Sequence, residues 1–371
     1  MEVKEFIWLL LYIFIFSIST IIGLLFFTVR SKNKRANIFL SLFLWSIAIQ
    51  FLNDILDEMR FEEEFGFSLF IVEPFLFSLP LLFIYLLTTI NREIKRWHYL
   101  LFIPGVFHNI LLHLNESFIQ ESLLTTFELF IYFMEILLLI YAYRMLSAHN
   151  EGITHYYSDL ENRTLKWLKS IFALNILIHF LSISTFLFDL SAFQIFENSV
   201  DIFALGLWIF MIFWVAQNGF SQPEIFKRRL FADINDAIQN SDSEEIQNTS
   251  KEDIQKFNDI KAQIEKRELF INPKINLRLL SDELELKEKE VSRLINFHSK
   301  TNFYKFINKF RVEKFKRLVE SGDASKYTIM GLAHKAGFNS KSSLKISLAL
   351  NIVVSSPVVS SILFIAFVYG S

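Results

Sequence analysis

Residues 6–29 read FIWLLLYIFIFSISTIIGLLFFTV, a stretch of 24 residues without a single charged side chain. A helix needs about 20 mainly apolar residues to cross the hydrocarbon core of a bilayer. The stretch is also longer than the ~7–15 apolar residues of a secretory signal peptide, and no convincing cleavage site follows it. We therefore expect a membrane-spanning helix that the mature chain retains.

Six further apolar stretches follow within the first 216 residues, some of them with a polar interruption. The fourth of the seven is the shortest and contains Pro104 and Gly105. The sequence therefore predicts an all-α protein in which residues 1–216 form a seven-helix transmembrane bundle. The expected spans are Phe6–Val29, Ala36–Leu56, Phe67–Ile90, Tyr99–Leu114, Leu123–Tyr143, Trp167–Phe188 and Val200–Ala216.

Charged residues are distributed unevenly along the 371-residue chain, which is 52% hydrophobic and 16% aromatic. Of the 37 Lys and Arg residues, 13 precede Ser221 and 24 follow it. The first part is too apolar for a water-soluble core of ordinary size, which excludes a single soluble enzyme. The absence of cysteine from the sequence excludes disulfides and thiolate metal sites. Because no catalytic constellation converges either, we expect no enzyme activity, no cofactor and no metal site.

The basic residues near the ends of the spans predict the orientation of the bundle. Fourteen of them fall on alternate connections, whereas the opposite connections contain only Lys4 and Arg60 beside a cluster of acidic residues. Basic connections stay in the cytoplasm. Seven spans then place the N-terminus outside and everything after Ala216 in the cytoplasm. The fourteen residues are Arg30, Lys32, Lys34, Arg35, Arg92, Lys95, Arg96, Arg144, Arg163, Lys166, Lys169, Lys227, Arg228 and Arg229.

Several polar side chains lie within the expected spans, where an ionisable group costs about 2.5–3.5 kcal/mol on insertion scales. One interpretation is a ligand pocket or a signal-sensitive hydrogen-bond network, with Glu73, Glu135 and His179 as candidates for sensing. The other is hydrogen bonding between helices, or contact with headgroups near the end of a span. The full set is Glu73, Glu128, Glu135, Asp201, His108, His113 and His179.

The chain becomes polar after Ala216, and residues 217–266 are predicted to be a linker. At its end, residues 251–268 show the spacing of an amphipathic helix, with Ile254, Phe257, Ile260 and Ile264 on one stripe. This stripe is either the seam of a homodimer or a face that packs on the next domain.

A basic segment follows the linker. From Val291 to Lys345 there are 12 Lys or Arg residues and three acidic residues. Such a bias indicates attraction to a polyanion, either nucleic acid or the anionic lipid of the cytoplasmic leaflet. The apolar spacing separates the two interpretations, because it predicts short helices in pairs rather than one amphipathic surface helix.

Leucines at helical spacing predict a helix over Leu277–Leu284, and a break at residues 285–287 precedes a second helix. This is the layout of a helix-turn-helix unit. A long helix is predicted over Phe303–Ser321, after which the pattern starts again: Thr328 suits an N-cap, Gly337 a position of positive φ, and Ser340 the next N-cap.

These residues make the chain similar to the AraC/XylS family of transcription regulators. The strings are Leu277-(x)2-Leu280 with Leu284, residues 291–296 (VSRLIN), Phe303-(x)3-Ile307-Asn308-(x)2-Arg311-Val312, and Ile329-(x)2-Leu332-Ala333-(x)3-Gly337-Phe338-(x)-Ser340-(x)-Ser342-Ser343. The resemblance covers about 70 residues. It implies a DNA-binding domain over residues 267–345, with helix-turn-helix units at 277–297 and 328–345 joined by one long helix. It also implies a structural role for Arg311.

Seven spans before such a domain resemble the membrane-bound members of that family, which occur in some bacteria. The resemblance thus implies the inner (cytoplasmic) membrane of a bacterium, with the C-terminal domain in the cytoplasm. The implied partners are double-stranded DNA, the bilayer, an unidentified signal or ligand, and a second copy of the chain.

The family pattern also indicates which side chains face DNA. In the groove it places Lys289, Ser292, Arg293, Asn296, Ser340, Lys341, Ser342 and Lys345. Arg and Lys can donate to guanine, Asn can pair with adenine, and Ser can reach a base or a phosphate. The candidates for phosphate contact are Lys305, Lys309, Lys314 and Lys316.

The sequence departs from the family after Ser343. Leu344 replaces an expected aromatic residue, and residues 346–371 are an uncharged apolar tail. The tail is either the product of a shifted reading frame or a membrane segment, and in both cases we expect an incomplete second helix-turn-helix.

Two functions remain open at this stage. The first is a membrane-anchored transcription regulator that couples promoter binding to a signal sensed by the spans. The alternative is a membrane receptor or transport-like protein with a vestigial, non-functional DNA-binding appendage.

Overall fold

The computed structural model describes residues 3–30, 33–59, 73–112, 121–160, 164–188, 194–220, 251–321 and 327–350. The fold over these residues is all-helical, as the sequence predicts, and no β-strand occurs among them. The chain divides into two compact units. The first unit comprises Met1–Ser147 and Leu165–Arg228, and the second comprises Ala148–Thr164 and Arg229–Ser371.

Seven α-helices make up the described part of the first unit. The fifth of them continues past Ser147 to Thr154, so its last residues belong to the second unit. The seven are α1 (Val3–Thr28), α2 (Lys34–Glu58), α3 (Ser78–Thr89), α4 (Ile103–Leu112), α5 (Glu121–Thr154), α6 (Lys166–Phe188) and α7 (Gln194–Phe220). Two 3₁₀ helices, Pro74–Phe77 and Arg96–Phe102, lead directly into α3 and α4.

Four helices in the described part of the chain are long and apolar enough to cross a membrane: Glu5–Thr28, Lys34–Glu58, Thr126–Thr154 and Ile202–Phe220. Each of them overlaps one of the seven expected spans. The helical stretch Pro74–Thr89 is apolar but shorter. The part of the third expected span before Glu73 lies outside the described residues.

Prolines lie where the described helices of the third and fourth expected spans begin. Pro74 is the first residue of a 3₁₀ helix, and Pro80 lies in the first turn of α3. Pro104 is the second residue of α4, which has only ten residues. A proline is tolerated in the first turn of a helix, where its missing N–H is not needed. These prolines therefore lie where helices start, and a ten-residue helix is only about 15 Å long.

The core of the first unit is aliphatic and aromatic. Side chains such as Leu44, Phe83, Phe172 and Ile212 are completely buried. Large apolar side chains are also exposed on the same helices, for example Phe180, which is 66% exposed. An exposed apolar surface on helices of this length is typical of contact with lipid.

Six α-helices make up the described part of the second unit beyond residue 250. They are α8 (Lys251–Lys266), α9 (Leu277–Leu284), α10 (Glu288–Ser299), α11 (Phe303–Glu320), α12 (Ile329–Lys335) and α13 (Lys341–Leu350), with a 3₁₀ turn at Leu269–Ile271. The predicted bounds of the two helices Leu277–Leu284 and Phe303–Ser321 agree with α9 and α11 to within one residue.

Two apolar clusters form the core of this unit, and α11 contributes to both. The first joins α8, α9, α10 and the start of α11, and the second joins the end of α11 to α12 and α13. The stripe on α8 packs in the first cluster through Phe257, Ile260 and Ile264. The fourth predicted member of the stripe, Ile254, is 45% exposed, because it lies in the first turn of the helix and outside the contact.

Gly337 ends the turn after α12 with a φ of +95°, as its position in the sequence predicts. A Cβ atom there would lie 2.7 Å from the carbonyl oxygen of Phe270 and 2.8 Å from Cα of Ile271. Both neighbours are backbone, so they cannot rotate away. The adjacent Phe338 is buried in the second cluster, which is also as predicted.

Replacing Gly337 with alanine should therefore destabilise the second unit. A strained left-handed residue costs about 1–3 kcal/mol, and the backbone clash adds to it. The measurement is the midpoint of thermal unfolding of the purified chain in detergent. Gly331→Ala is the control, because Gly331 is helical and its Cβ would meet side-chain atoms alone, Oγ1 of Thr328 at 3.3 Å and Cβ of Tyr327 at 3.7 Å. Equal midpoints for the two variants would contradict the prediction.

Candidate nucleic-acid interface

Two pairs of short helices occur in the second unit, α9 with α10 and α12 with α13. In each pair a side chain caps the first helix: Asn276 Oδ1 accepts from Leu279 N at 3.0 Å, and Thr328 Oγ1 accepts from Gly331 N at 3.1 Å. A residue with positive φ then turns the chain, namely Glu285 in the first pair and Gly337 in the second. Both turns follow the breaks that the sequence predicts.

The guanidinium of Arg311 is buried in this unit, with the residue only 1% exposed. Its Nε donates to the carbonyl oxygen of Phe270 at 2.7 Å. Its two terminal nitrogens donate to the carbonyl oxygens of Ser158 at 3.2 Å and Asn272 at 2.9 Å. Burial lowers the pKa of Arg311 to about 10, so the group remains charged at neutral pH.

A segment from between α5 and α6 supplies part of this network. Residues 154–159, here called the inserted segment, belong to the second unit although the sequence places them between two expected spans. Ser158 accepts from Arg311 and Asn308 through its carbonyl oxygen, and its hydroxyl donates to the carbonyl oxygen of Ile275 at 2.6 Å. Leu277 N donates to the carbonyl oxygen of Tyr156 at 2.9 Å, which places the segment at the start of α9.

The same segment reaches the second helix pair. The carboxylate of Asp159 accepts from Ser343 Oγ at 3.0 Å and from Asn339 Nδ2 at 3.3 Å. At its other end, Thr154 Oγ1 accepts from Asn302, the N-cap residue of α11, at 2.9 Å. Six consecutive residues thus contact the first pair, the long helix and the second pair.

Sequence reasoning missed the inserted segment entirely. Its residues THYYSD contain no apolar periodicity and no helix-turn-helix string. The one available signal is the pair Tyr156 and Tyr157, two aromatic residues in an otherwise polar connection, of which Tyr156 is 4% exposed.

The four predicted groove residues on α10 are in different environments. Lys289 is exposed, whereas Ser292 is only 5% exposed and accepts a hydrogen bond from Asn296 at 3.4 Å. Arg293 makes a bidentate ion pair with Asp253 of α8, at 2.8 and 3.0 Å. The hydrogen bonds from Arg293 lower the pKa of Asp253. This pair therefore stabilises the contact between α8 and α10 above the ordinary carboxyl pKa, and the contribution is lost as the pH falls through the lowered pKa.

On α13 the predicted residues also differ in exposure. Ser340 is 9% exposed and acts as the N-cap, since its Oγ accepts from Ser343 N at 3.2 Å. Lys341 is exposed and Lys345 is half-buried. The side chain of Ser342 lies outside the described residues, as does the tail from residue 351 onward.

Two of the four predicted phosphate-contact lysines are paired with carboxylates. Lys314 lies 2.5 Å from Glu268 and Lys316 lies 3.0 Å from Glu313. Lys305 and Lys309 are exposed and border a groove of about 870 Å³ beside α8 and α11.

The three predicted sensing residues lie in the first unit, in two histidine–carboxylate contacts. His179 Nε2 lies 2.8 Å from Glu135, and both residues are buried. His108, only 2% exposed, lies 3.3 Å from Glu73 and 3.3 Å from Glu128. Among the described residues, no group of three or more His, Asp or Glu side chains is arranged to hold a metal ion.

Comparison of the chain with known protein families, with curated proteins and with solved structures found no match.

Replacing Arg311 with methionine should destabilise the second unit by about 3–5 kcal/mol, because three carbonyl oxygens lose a buried donor. Lysine should not restore the loss, since one ammonium cannot reproduce the planar fork of a guanidinium. The measurement is hydrogen exchange of the amides of α11 in the full chain.

The matched control is Arg317→Met on the same helix. The side chain of Arg317 is 63% exposed and its ion pair with Glu265 is long, at 3.9 Å. Its replacement should change stability by no more than about 0.5 kcal/mol. Equal effects of the two substitutions on stability would contradict the prediction, because the buried hydrogen bonds of Arg311 would then contribute no more than an exposed arginine does.

Proposed function

We propose that the protein is a membrane-anchored transcription regulator that binds double-stranded DNA through its second unit. The observation on which this proposal rests is the repeated helix pair, α9–α10 and α12–α13, with the long helix α11 contributing to both cores. Two helix-turn-helix units joined by one helix can present two recognition helices to the major groove. The resemblance to the AraC/XylS family, carried by the same residues, supports this proposal.

The proposed topology is a seven-span bundle with its N-terminus outside and the DNA-binding unit in the cytoplasm of a bacterium. Four apolar helices of sufficient length support the membrane assignment. The orientation is supported by the fourteen basic residues on alternate connections. The inserted segment follows α5 directly, and the proposed topology places that connection on the same side as the DNA-binding unit.

Base recognition in this proposal depends on α10 and on the start of α13. Lys289 and Lys341 are exposed and can donate to guanine or to phosphate. Arg293 is held by Asp253. It could therefore reach a base only by giving up that pair, so α8 would compete with DNA for this residue.

The inserted segment offers a physical route from the membrane helices to the DNA-binding unit. It follows α5 without a break and hydrogen-bonds to both helix pairs. A displacement at the end of α5 would therefore move groups that hold α9 and α13. We propose that a signal sensed by the spans alters DNA binding by this route.

The test is DNA binding by the full chain in lipid nanodiscs, with DNA from upstream of its own gene and with a scrambled duplex. The full chain is required because a fragment that starts at Lys251 would lack the partners of Arg311 at Ser158. We expect preference for the upstream DNA, and an affinity that falls steeply between two salt concentrations. Measurement by fluorescence anisotropy gives both quantities.

The double variant Lys289→Ala, Lys341→Ala should weaken binding at least about tenfold. Its charge-matched control is Lys251→Ala, Lys266→Ala, which removes two exposed lysines from α8. Binding that is equal for all duplexes, or equally weakened in both double variants, would contradict the proposal and favour a vestigial DNA-binding appendage on a membrane receptor.

A further inference from the structure

A cavity of about 300 Å³ lies inside the first unit, where five segments of the chain converge. One face of α2 forms one wall, and the 3₁₀ helix Pro74–Phe77 with its N-cap forms another. One residue each from α5, α6 and α7 completes the lining. The volume is at the low end of the roughly 300–1,000 Å³ that is typical of small-molecule sites.

Acidic and amide groups form the polar side of this cavity. Asp54 and Glu73 both line it, and none of the described lining residues is Lys or Arg. The side-chain amide of Gln50 donates to Asp54, whereas its Oε1 is buried and has no hydrogen-bond partner in the described part of the chain. Two carboxylates therefore line a cavity whose described lining contains neither lysine nor arginine.

Four aromatic rings form much of the remaining wall: Phe51, Phe75, Tyr132 and Trp208. The rings of Phe75 and Trp208 meet edge to face at 5.4 Å, and Phe51 and Trp208 are only 6% and 7% exposed. Phe75 and Tyr132 also contact the ring of His179, which Glu135 holds at 2.8 Å. The aromatic side of the cavity thus packs against the hydrogen-bonded pair of His179 and Glu135.

This combination restricts the chemistry of the occupant. An anion would meet two carboxylates and neither a lysine nor an arginine. A metal ion would need several oxygen or nitrogen ligands, and the aromatic side offers only the phenol oxygen of Tyr132. An organic ammonium ion satisfies both sides, because its charge attracts carboxylates and the faces of aromatic rings. The carboxylates also accept hydrogen bonds, which favours an ammonium ion that still has an N–H.

We propose that this cavity is a binding site for a small organic ammonium ion with at least one N–H donor. Asp54 and Glu73 supply the counter-charge and accept hydrogen bonds from the ligand, and the aromatic side contacts its alkyl or aryl part. The source is either a free amine or the headgroup of an aminophospholipid. That such a ligand is the regulatory signal rests on the proposed function, whereas the binding itself does not.

The experiment titrates benzylammonium into the full chain in nanodiscs of phosphatidylglycerol, with isothermal calorimetry as the readout. We expect saturable binding at one site. Benzyl alcohol, its uncharged analogue, should bind at least about tenfold more weakly. This comparison uses the unaltered protein, so it does not depend on any variant folding correctly. DNA is absent, so failure of the proposed function would not affect the result.

Three variants locate the site. Asp54→Asn and Glu73→Gln should each weaken benzylammonium binding about tenfold or more, while Asp57→Asn, an exposed acid on the same helix, should leave it unchanged. Benzyltrimethylammonium, which has no N–H to donate to the carboxylates, should bind the unaltered chain more weakly than benzylammonium. Nanodiscs that contain phosphatidylethanolamine identify the source: competition with benzylammonium indicates the lipid headgroup, and unchanged affinity indicates a free amine.

The proposal is overturned if benzylammonium shows no saturable binding to the unaltered chain, or if benzyl alcohol binds equally well. It is also overturned if Asp57→Asn reduces affinity as much as Asp54→Asn, since the effect would then be one of general surface charge.

Discussion

The buried guanidinium of Arg311 determines how the second unit is assembled. A charge removed from water is tolerated only when its donors are matched, and here the acceptors are backbone carbonyls at Phe270, Asn272 and Ser158. Those carbonyls come from the turn before α9 and from the inserted segment, both distant in sequence from α11. The side chain can therefore be satisfied only when all three parts of the chain are in place, so their folding is coupled.

This coupling makes a loop between two apolar helices part of the core of another unit. A connection of this kind usually lies on the surface because its backbone groups need water. In residues 154–159 the carbonyl oxygens of Tyr156 and Ser158 accept instead from Leu277, Asn308 and Arg311. The segment can therefore be buried without losing hydrogen bonds. It cannot, however, be separated from the second unit without leaving these donors unmatched.

The sequence predicted those features of the fold that depend on neighbours along the chain. The leucine spacing of α9, the caps at Thr328 and Ser340, and the positive φ of Gly337 are local and were correct. The contacts of Arg311 were predictable only as a structural role, because nothing in the spacing indicates which carbonyls it meets. The burial of Ser292 and the pairing of Arg293 with Asp253 could not be foreseen either, since they depend on where α8 packs. In the first unit, apolarity indicated spans, but the aromatic and acidic cavity requires five segments to meet.

The first residues of the apolar tail belong to a helix of the second unit in the structure. The uncharged stretch begins at Ile346, yet α13 continues to Leu350. Leu344 and Leu348, four residues apart, are buried in the cluster of Val312, Phe315 and Leu332, and Ser347 lies 3.4 Å from the hydroxyl of Tyr304. An apolar residue at every fourth position is what the inner face of this helix requires. Packing therefore accounts for the sequence up to Leu348, and the departure from the family pattern leaves the core of the second helix pair intact. On the outer face, the exposed Ile346 follows Lys345 at a position where the resemblance implies a basic helix. In the proposed function, a loss of DNA affinity through this helix would consequently come from missing charge on its surface and not from a failure of the helix to form.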